Sequence, residues 1–236
     1  MFLRHIWKLV FRMLLLAAAL CIYFTNIGML DYTVFFDMRL NGLFLFIVWA
    51  ALVVDMMYRI FPNKRIAIGA RKHFKCSYNG AYAPKKKRTK HNSAQKKLKI
   101  GALLSALSWL IINTIVLSIL RLTGMLSPAE IMLFVMIYSV LDLIFILFFC
   151  PFQKLFMRNR CCTVCRIYNW DYFMICAPMI IFPSFYSISL VIMSFAVLLR
   201  WEIAIGVKPH YFLRETNRNL QCKFCKDKLC LIKEKV

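Results

Sequence analysis

Six cysteines in the second half of the chain have the spacing of metal or thiol chemistry. Cys161, Cys162 and Cys165 stand together in one short basic stretch, and Cys222, Cys225 and Cys230 in another. Cys162 with Cys165, and Cys222 with Cys225, each form a CxxC pair. A CxxC turn aims two thiolates at one ion and offers backbone N–H groups to the sulfurs. Two such pairs make a tetrahedral four-thiolate set, which suits Zn²⁺ or a single iron. Arg160, Arg166, Lys223, Lys226 and Lys228 are placed to offset the negative charge that four thiolates leave on zinc. Cys161 and Cys230 exceed one tetrahedral site and read as spare thiols, alternate ligands or a resolving dithiol. An iron–sulfur cluster also takes four thiolates, but the tight CxxCxxC run of a ferredoxin is absent. A thioredoxin-like dithiol needs one exchange-active pair, and two pairs fit that less well. His73, near Cys76, and His210 could each add a ligand; a solvated loop histidine is the simpler reading of both.

The two cysteine pairs lie far apart in sequence, so the intervening chain must return to where it began. That chain is apolar from Tyr172 to about Val207 and is broken at Phe182-Pro183-Ser184. The pattern predicts a membrane hairpin with a short arm over 172–182 and a longer arm over about 185–204. The short arm is about 16 Å long as helix, so it reads as re-entrant unless residues 166–171 extend it. Proline breaks the helix at the turn.

The rest of the chain has the same character. Of 236 residues, 61% are hydrophobic, and the mean hydropathy is +0.65. Several continuously apolar stretches approach the roughly 20 residues that cross about 30 Å of hydrocarbon as helix. Their continuity excludes a barrel, whose strands alternate. The fold class is therefore an all-α polytopic membrane protein with four full spans, a Pro-broken hairpin and a small Cys-rich module. The segments are a first helix pair (1–61), a basic loop (62–99), a second helix pair (100–150), a first Cys knuckle (151–171), the hairpin (172–204) and a tail with the second knuckle (205–236). The first span starts basic, and no small-residue cleavage pattern follows Cys21, so it reads as uncleaved.

The net charge is +22, and its placement sets the expected orientation. Thirteen Lys and Arg, and no Asp or Glu, fall between Pro62 and Lys99. The N-terminus, residues 151–171 and the tail are also basic, whereas the connections near 31–41 and 123–129 carry few basic residues. Basic flanks stay in the cytoplasm, which predicts a plasma-membrane protein, such as one of a bacterial inner membrane, with both termini inside. The cysteine knuckles then lie on the reducing side, where thiols favour metals over structural disulfides. Lys85, Lys86, Lys87, Arg88, Lys96 and Lys97 are expected to meet anionic lipid headgroups. No nucleic-acid module accompanies this charge.

Within the spans the polar residues are few. Arg12 and Asp55 are expected at similar depth and paired, which would offset the cost of a carboxylate in lipid. Asp142 has no cation clearly at its depth. A protonated carboxyl, a bond to Asn113 and a polar path are the readings left open for it. Ser127-Pro128-Ala129-Glu130 is a helix start, with a cap serine before a proline at the first helical position.

The stretches CxxCRIYNWD (162–171) and NLxCxxCxxxxC (219–230) resemble those of small cysteine-containing membrane proteins of Gram-positive bacteria. The resemblance covers a small part of the chain and implies no activity. No nucleophile triad, phosphate loop, HExxH, dinucleotide fingerprint or internal repeat is present. Three functions stay open: a structural or interaction protein with a zinc module, joining a protein partner or a second copy of itself; a small transporter or channel using Asp142, Asn113 and Asp55; or a membrane redox protein.

Overall fold

The structure is a computed structural model, which describes residues 2–34, 40–61, 88–157, 170–212, 217–221 and 223. Among these, every regular element is helical. The long helices are α1 (Phe2–Thr25), α2 (Leu40–Ile60), α3 (Arg88–Leu122), α4 (Pro128–Leu147) and α6 (Phe185–Val207), with the short α5 (Asp171–Cys176) before α6. Among the described residues, five helical segments are long and apolar enough to cross a membrane: His5–Thr25, Gly42–Ile60, Lys99–Leu122, Pro128–Leu147 and Phe185–Val207.

Side chains are distributed inside out. Large apolar residues such as Phe24, Leu110, Ile115, Ile192 and Ile203 face outward. Arg12, Arg59, Asn113, Ser139, Ser187 and Ser194 are buried. A bundle solvated by lipid has this pattern, because outward apolar surface costs nothing there and polar groups must satisfy one another inside.

α1 packs along α4, α2 along α6, and α5 lies against both α4 and α6. The arm leading into α6 is α5 followed by a 3₁₀ turn at Ala177–Ile181. Ser184 then caps α6, accepting from the Ser187 N–H at 3.2 Å while its own N–H donates to Ser187 Oγ at 2.8 Å. Buried Ser187 and Ser194 are small, which lets the short arm approach α6 closely. The chain returns to the end it left: Trp170 Nε1 donates to Glu202 Oε1 at 2.9 Å.

α4 begins where the sequence places it. The Ser127 N–H donates to Glu130 Oε2 at 2.8 Å, Ser127 Oγ bonds the same carboxylate, and Tyr23 of α1 donates to Glu130 Oε1 at 2.9 Å. The α3–α4 connection closes through Gly124, whose φ of 71° a side chain would resist. The Met125 N–H reaches the Leu120 carbonyl and the Gly124 N–H the Arg121 carbonyl, the pattern of a Schellman close.

One expectation needs correction. α3 does not start near Ile100, because residues 88–99, read as part of the basic loop, already belong to the helix. Lys, Gln, Ala and Arg are good helix formers, and no glycine or proline interrupts them. At about 1.5 Å per residue, the 35 residues of α3 outreach the ~30 Å hydrocarbon by several turns. The connection after α1 turns into the bundle in 3₁₀ turns at Ile27–Leu30 and Tyr32–Val34. Leu30 and Tyr32 are fully buried, and Tyr32 packs 5.7 Å from the Tyr186 ring. Burial pushes the Tyr32 hydroxyl above the usual phenol range.

Candidate functional site

The polar centre of the bundle lies where α1 begins and α2 and α4 end. On α1, Lys8 and Arg12 are four residues apart and share a face. On α2, Asp55 and Arg59 have the same spacing, Asp55 meeting α1 and Arg59 meeting α5. α4 contributes Ser139 and Asp142 from its last three turns, and α5 contributes Asp171 and Tyr172 from its first.

Arg12 is the hub. Its Nη2 donates to Asp55 Oδ2 at 2.8 Å and to the Tyr172 hydroxyl at 3.2 Å, and its Nη1 donates to the Ser139 carbonyl at 2.6 Å. Asp142 Oδ2 lies 3.8 Å from Arg12 Nη1. Lys8 closes the network on the solvent side through its bond to Asp55. Arg59 donates to Asp171 Oδ1 at 2.6 Å, and its guanidinium sits 4.3 Å above the Tyr172 ring. Asp171 Oδ1 also accepts the Tyr172 N–H at 2.7 Å. The Asp142 carboxyl lies within hydrogen-bond reach of Asp171. Three cations and three carboxylates thus tie four helices together. Charges this deep are tolerated only when paired and hydrogen-bonded.

A small cavity opens beside the network. It is lined by charged groups of α1, α2 and α4, including Lys8, Arg12, Asp55 and Asp142, with Tyr58 and Tyr172 completing the wall. Its volume is about 30 Å³, enough for a water or two but not for an organic solute.

The structure brings Arg12 and Asp55 together. Asp142 is different from its sequence reading, since Arg12 supplies the cation thought to be missing. Asn113 is not its partner: the Asn113 carbonyl oxygen accepts from Tyr138, and its amide donates to the Trp109 carbonyl of its own helix at 2.9 Å. Asn113 therefore joins α3 to α4 away from the ionic centre, beside the Trp109–Tyr138 ring contact. Sequence reasoning missed Arg59, Asp171 and Tyr172. Asp171 closes a polar stretch and Arg59 sits near a span end, so both looked like ordinary boundary residues. The available signal was the i, i+4 repeat of Asp55 and Arg59 opposite that of Lys8 and Arg12.

Cys161, Cys162, Cys165, Cys222, Cys225 and Cys230 lie outside the described residues, as do His73, Cys76 and the Lys85–Lys87 run. The Arg88, Lys96 and Lys97 backbone is helical. Among the described residues no group of three or more His, Cys, Asp or Glu is arranged to hold a metal. Cys21 and Cys176 are free thiols. Fold and site together define, among the described residues, an all-helical protein with five helices long and apolar enough to cross a membrane and a buried ionic centre near one end. Comparison with protein-family models, with curated proteins and with solved structures finds no match to this chain.

Proposed function

We propose that the chain is an integral plasma-membrane protein with a structural or interaction role, in which a cytoplasmic four-cysteine zinc module ties the 151–171 segment to the tail. The observation that carries this is the return of the hairpin. The Trp170–Glu202 bond holds the start of the short arm beside the end of the long one. The tail continues against that end: Phe212 packs on the buried Trp201, Asn217 donates to the Tyr211 carbonyl at 2.8 Å, and Leu220 is buried. Trp170 lies five residues after Cys165, and Leu220 two before Cys222. Both flanks therefore support a shared site for Cys162, Cys165, Cys222 and Cys225. The basic residues around both knuckles favour the cytoplasmic side, where thiolates keep their metal. The basic stretch around Lys85–Arg88 and Lys96–Lys97 would hold this face against anionic headgroups.

The test is metal content. Full-length protein purified in detergent without added metal should contain about one zinc per chain and no visible chromophore. Replacing Cys162 and Cys225 by Ser should remove it. Zinc at full occupancy in that variant, or none in the wild type, would overturn the proposal; a chromophore would move the site to iron and a redox role.

The transporter reading contracts on two observations. Asn113 is separated from Asp142, and the cavity beside Asp142 has room for water rather than a solute. What remains for that centre is a species of the size of a proton.

A further inference from the structure

From the geometry of Asp142 and Asp171 we infer that these two carboxyls form a proton-binding site, holding one proton between them and exchanging it with water in the adjoining cavity. Neither carboxyl belongs to the zinc module.

Asp171 is 8% exposed. Its Oδ1 takes the bonds from Arg59 and the Tyr172 N–H, while its Oδ2 is buried with no hydrogen bond among the described residues. An unsatisfied buried carboxylate oxygen is costly, and native structures rarely leave one. The Asp142 carboxyl neighbours Asp171, and Oδ2 is the Asp171 oxygen left without another partner. Two ionised carboxylates have only acceptors to offer each other. A contact between them becomes a hydrogen bond only when one proton lies between the oxygens, as in paired-carboxylate sites.

The surroundings tolerate both states. α1 contributes Lys8 and Arg12, with His5 at the cavity wall; α2 contributes Asp55 and Arg59. α5 adds Tyr172 and Cys176, and α6 presents Glu202 to Trp170 at the same end. With the proton in place, Asp171 Oδ2 is satisfied and Lys8, Arg12 and Arg59 exceed the remaining carboxylate charge by one. Without it, three cations face three carboxylates. Neither state strands an unbalanced negative charge in the bundle, so the proton can leave. It passes from Asp142, which lines the cavity, to a water there, and from that water past Lys8, whose side chain is 34% exposed. The acceptor water becomes hydronium, and the carboxyl pair keeps its electrons and becomes a pair of carboxylates.

Infrared spectroscopy of the full-length protein in lipid nanodiscs tests this. At neutral pH exposed Asp and Glu are ionised, so a protonated-carboxyl C=O band reports a buried group. The wild type should show such a band with an intensity of about one carboxyl per chain. It should shift in D₂O and vanish as pH rises. Asp142→Asn and Asp171→Asn should each remove the whole band, because either amide can donate across the contact without a proton. Absence of the band from the wild type at every pH overturns the inference without need of a variant. So does its persistence in either folded variant, or its removal by NaCl at fixed pH, which would make the site one for a metal cation.

Discussion

Arg59 and Lys8 both hold a carboxylate at the same end of the bundle, yet they should differ sharply in worth. Arg59 and Asp171 are each about 8% exposed, and the Tyr172 ring covers the guanidinium. Truncating one member of a buried pair leaves the other as an uncompensated charge, which costs about 3–5 kcal/mol. Lys8 is one third exposed, and Asp55 retains Arg12 without it. An exposed contact of that kind contributes up to about 1 kcal/mol. Arg59→Ala should therefore destabilise the protein by several kcal/mol in detergent unfolding, and Lys8→Ala by little. Adding Asp171→Asn to Arg59→Ala should recover part of the loss, since the amide at 171 can donate to Asp142 and no longer requires the guanidinium. Equal costs for the two single variants would mean that the network is wetter than its burial indicates.

At the scale of elements, the fold is fixed as much by helix ends as by helix faces. Glu130 bonds the Ser127 backbone at the start of α4 and also receives Tyr23 from α1. The same carboxylate thus closes a cap and joins the two helices that carry Asp142 and Arg12. Glu130→Ala should cost about 1–2 kcal/mol, the usual range for a cap plus a hydrogen bond, measured as a lowered unfolding midpoint in detergent. An unchanged midpoint would show that Pro128 alone sets the start of the helix. The short arm shows how a segment too brief to span can still serve. α5 starts at the depth of Asp55 and Asp142, so the eleven residues Asp171–Ile181 begin inside the bundle and need not cover the full ~30 Å. Their backbone is covered by α4 and α6, as irregular backbone at membrane depth requires.

For the whole molecule, the organising fact is that the hairpin enters and leaves at one end. That end also holds the start of α1 and the ends of α2 and α4, as the Lys8–Asp55, Arg12–Asp55 and Arg59–Asp171 pairs require. In intact cells, tags at Arg160 and after Val236 should be inaccessible to an impermeant reagent, and one in the 123–127 turn accessible. A tail tag reached from outside while the Arg160 tag stayed protected would break the shared compartment on which the zinc proposal stands.

Much of this was legible from the chain itself. Continuous apolar runs state how many helices there are and roughly how long, because the hydrocarbon thickness sets one length for all of them. Pro183-Ser184 and Ser127-Pro128 mark their breaks, because proline acts on local backbone geometry whatever the surroundings. The depth of Arg12 and Asp55 could be counted along two helices, and the pair was legible for that reason. Partner choice among several helices could not be counted, because it depends on which faces meet after packing. Thus Asp142 looked solitary and Asn113 looked like its neighbour. Only the tertiary structure turned α4 toward Arg12, sent Asn113 to Tyr138 and lowered Asp171 beside Asp142, since two buried polar groups pair by rotation and distance that no linear spacing contains.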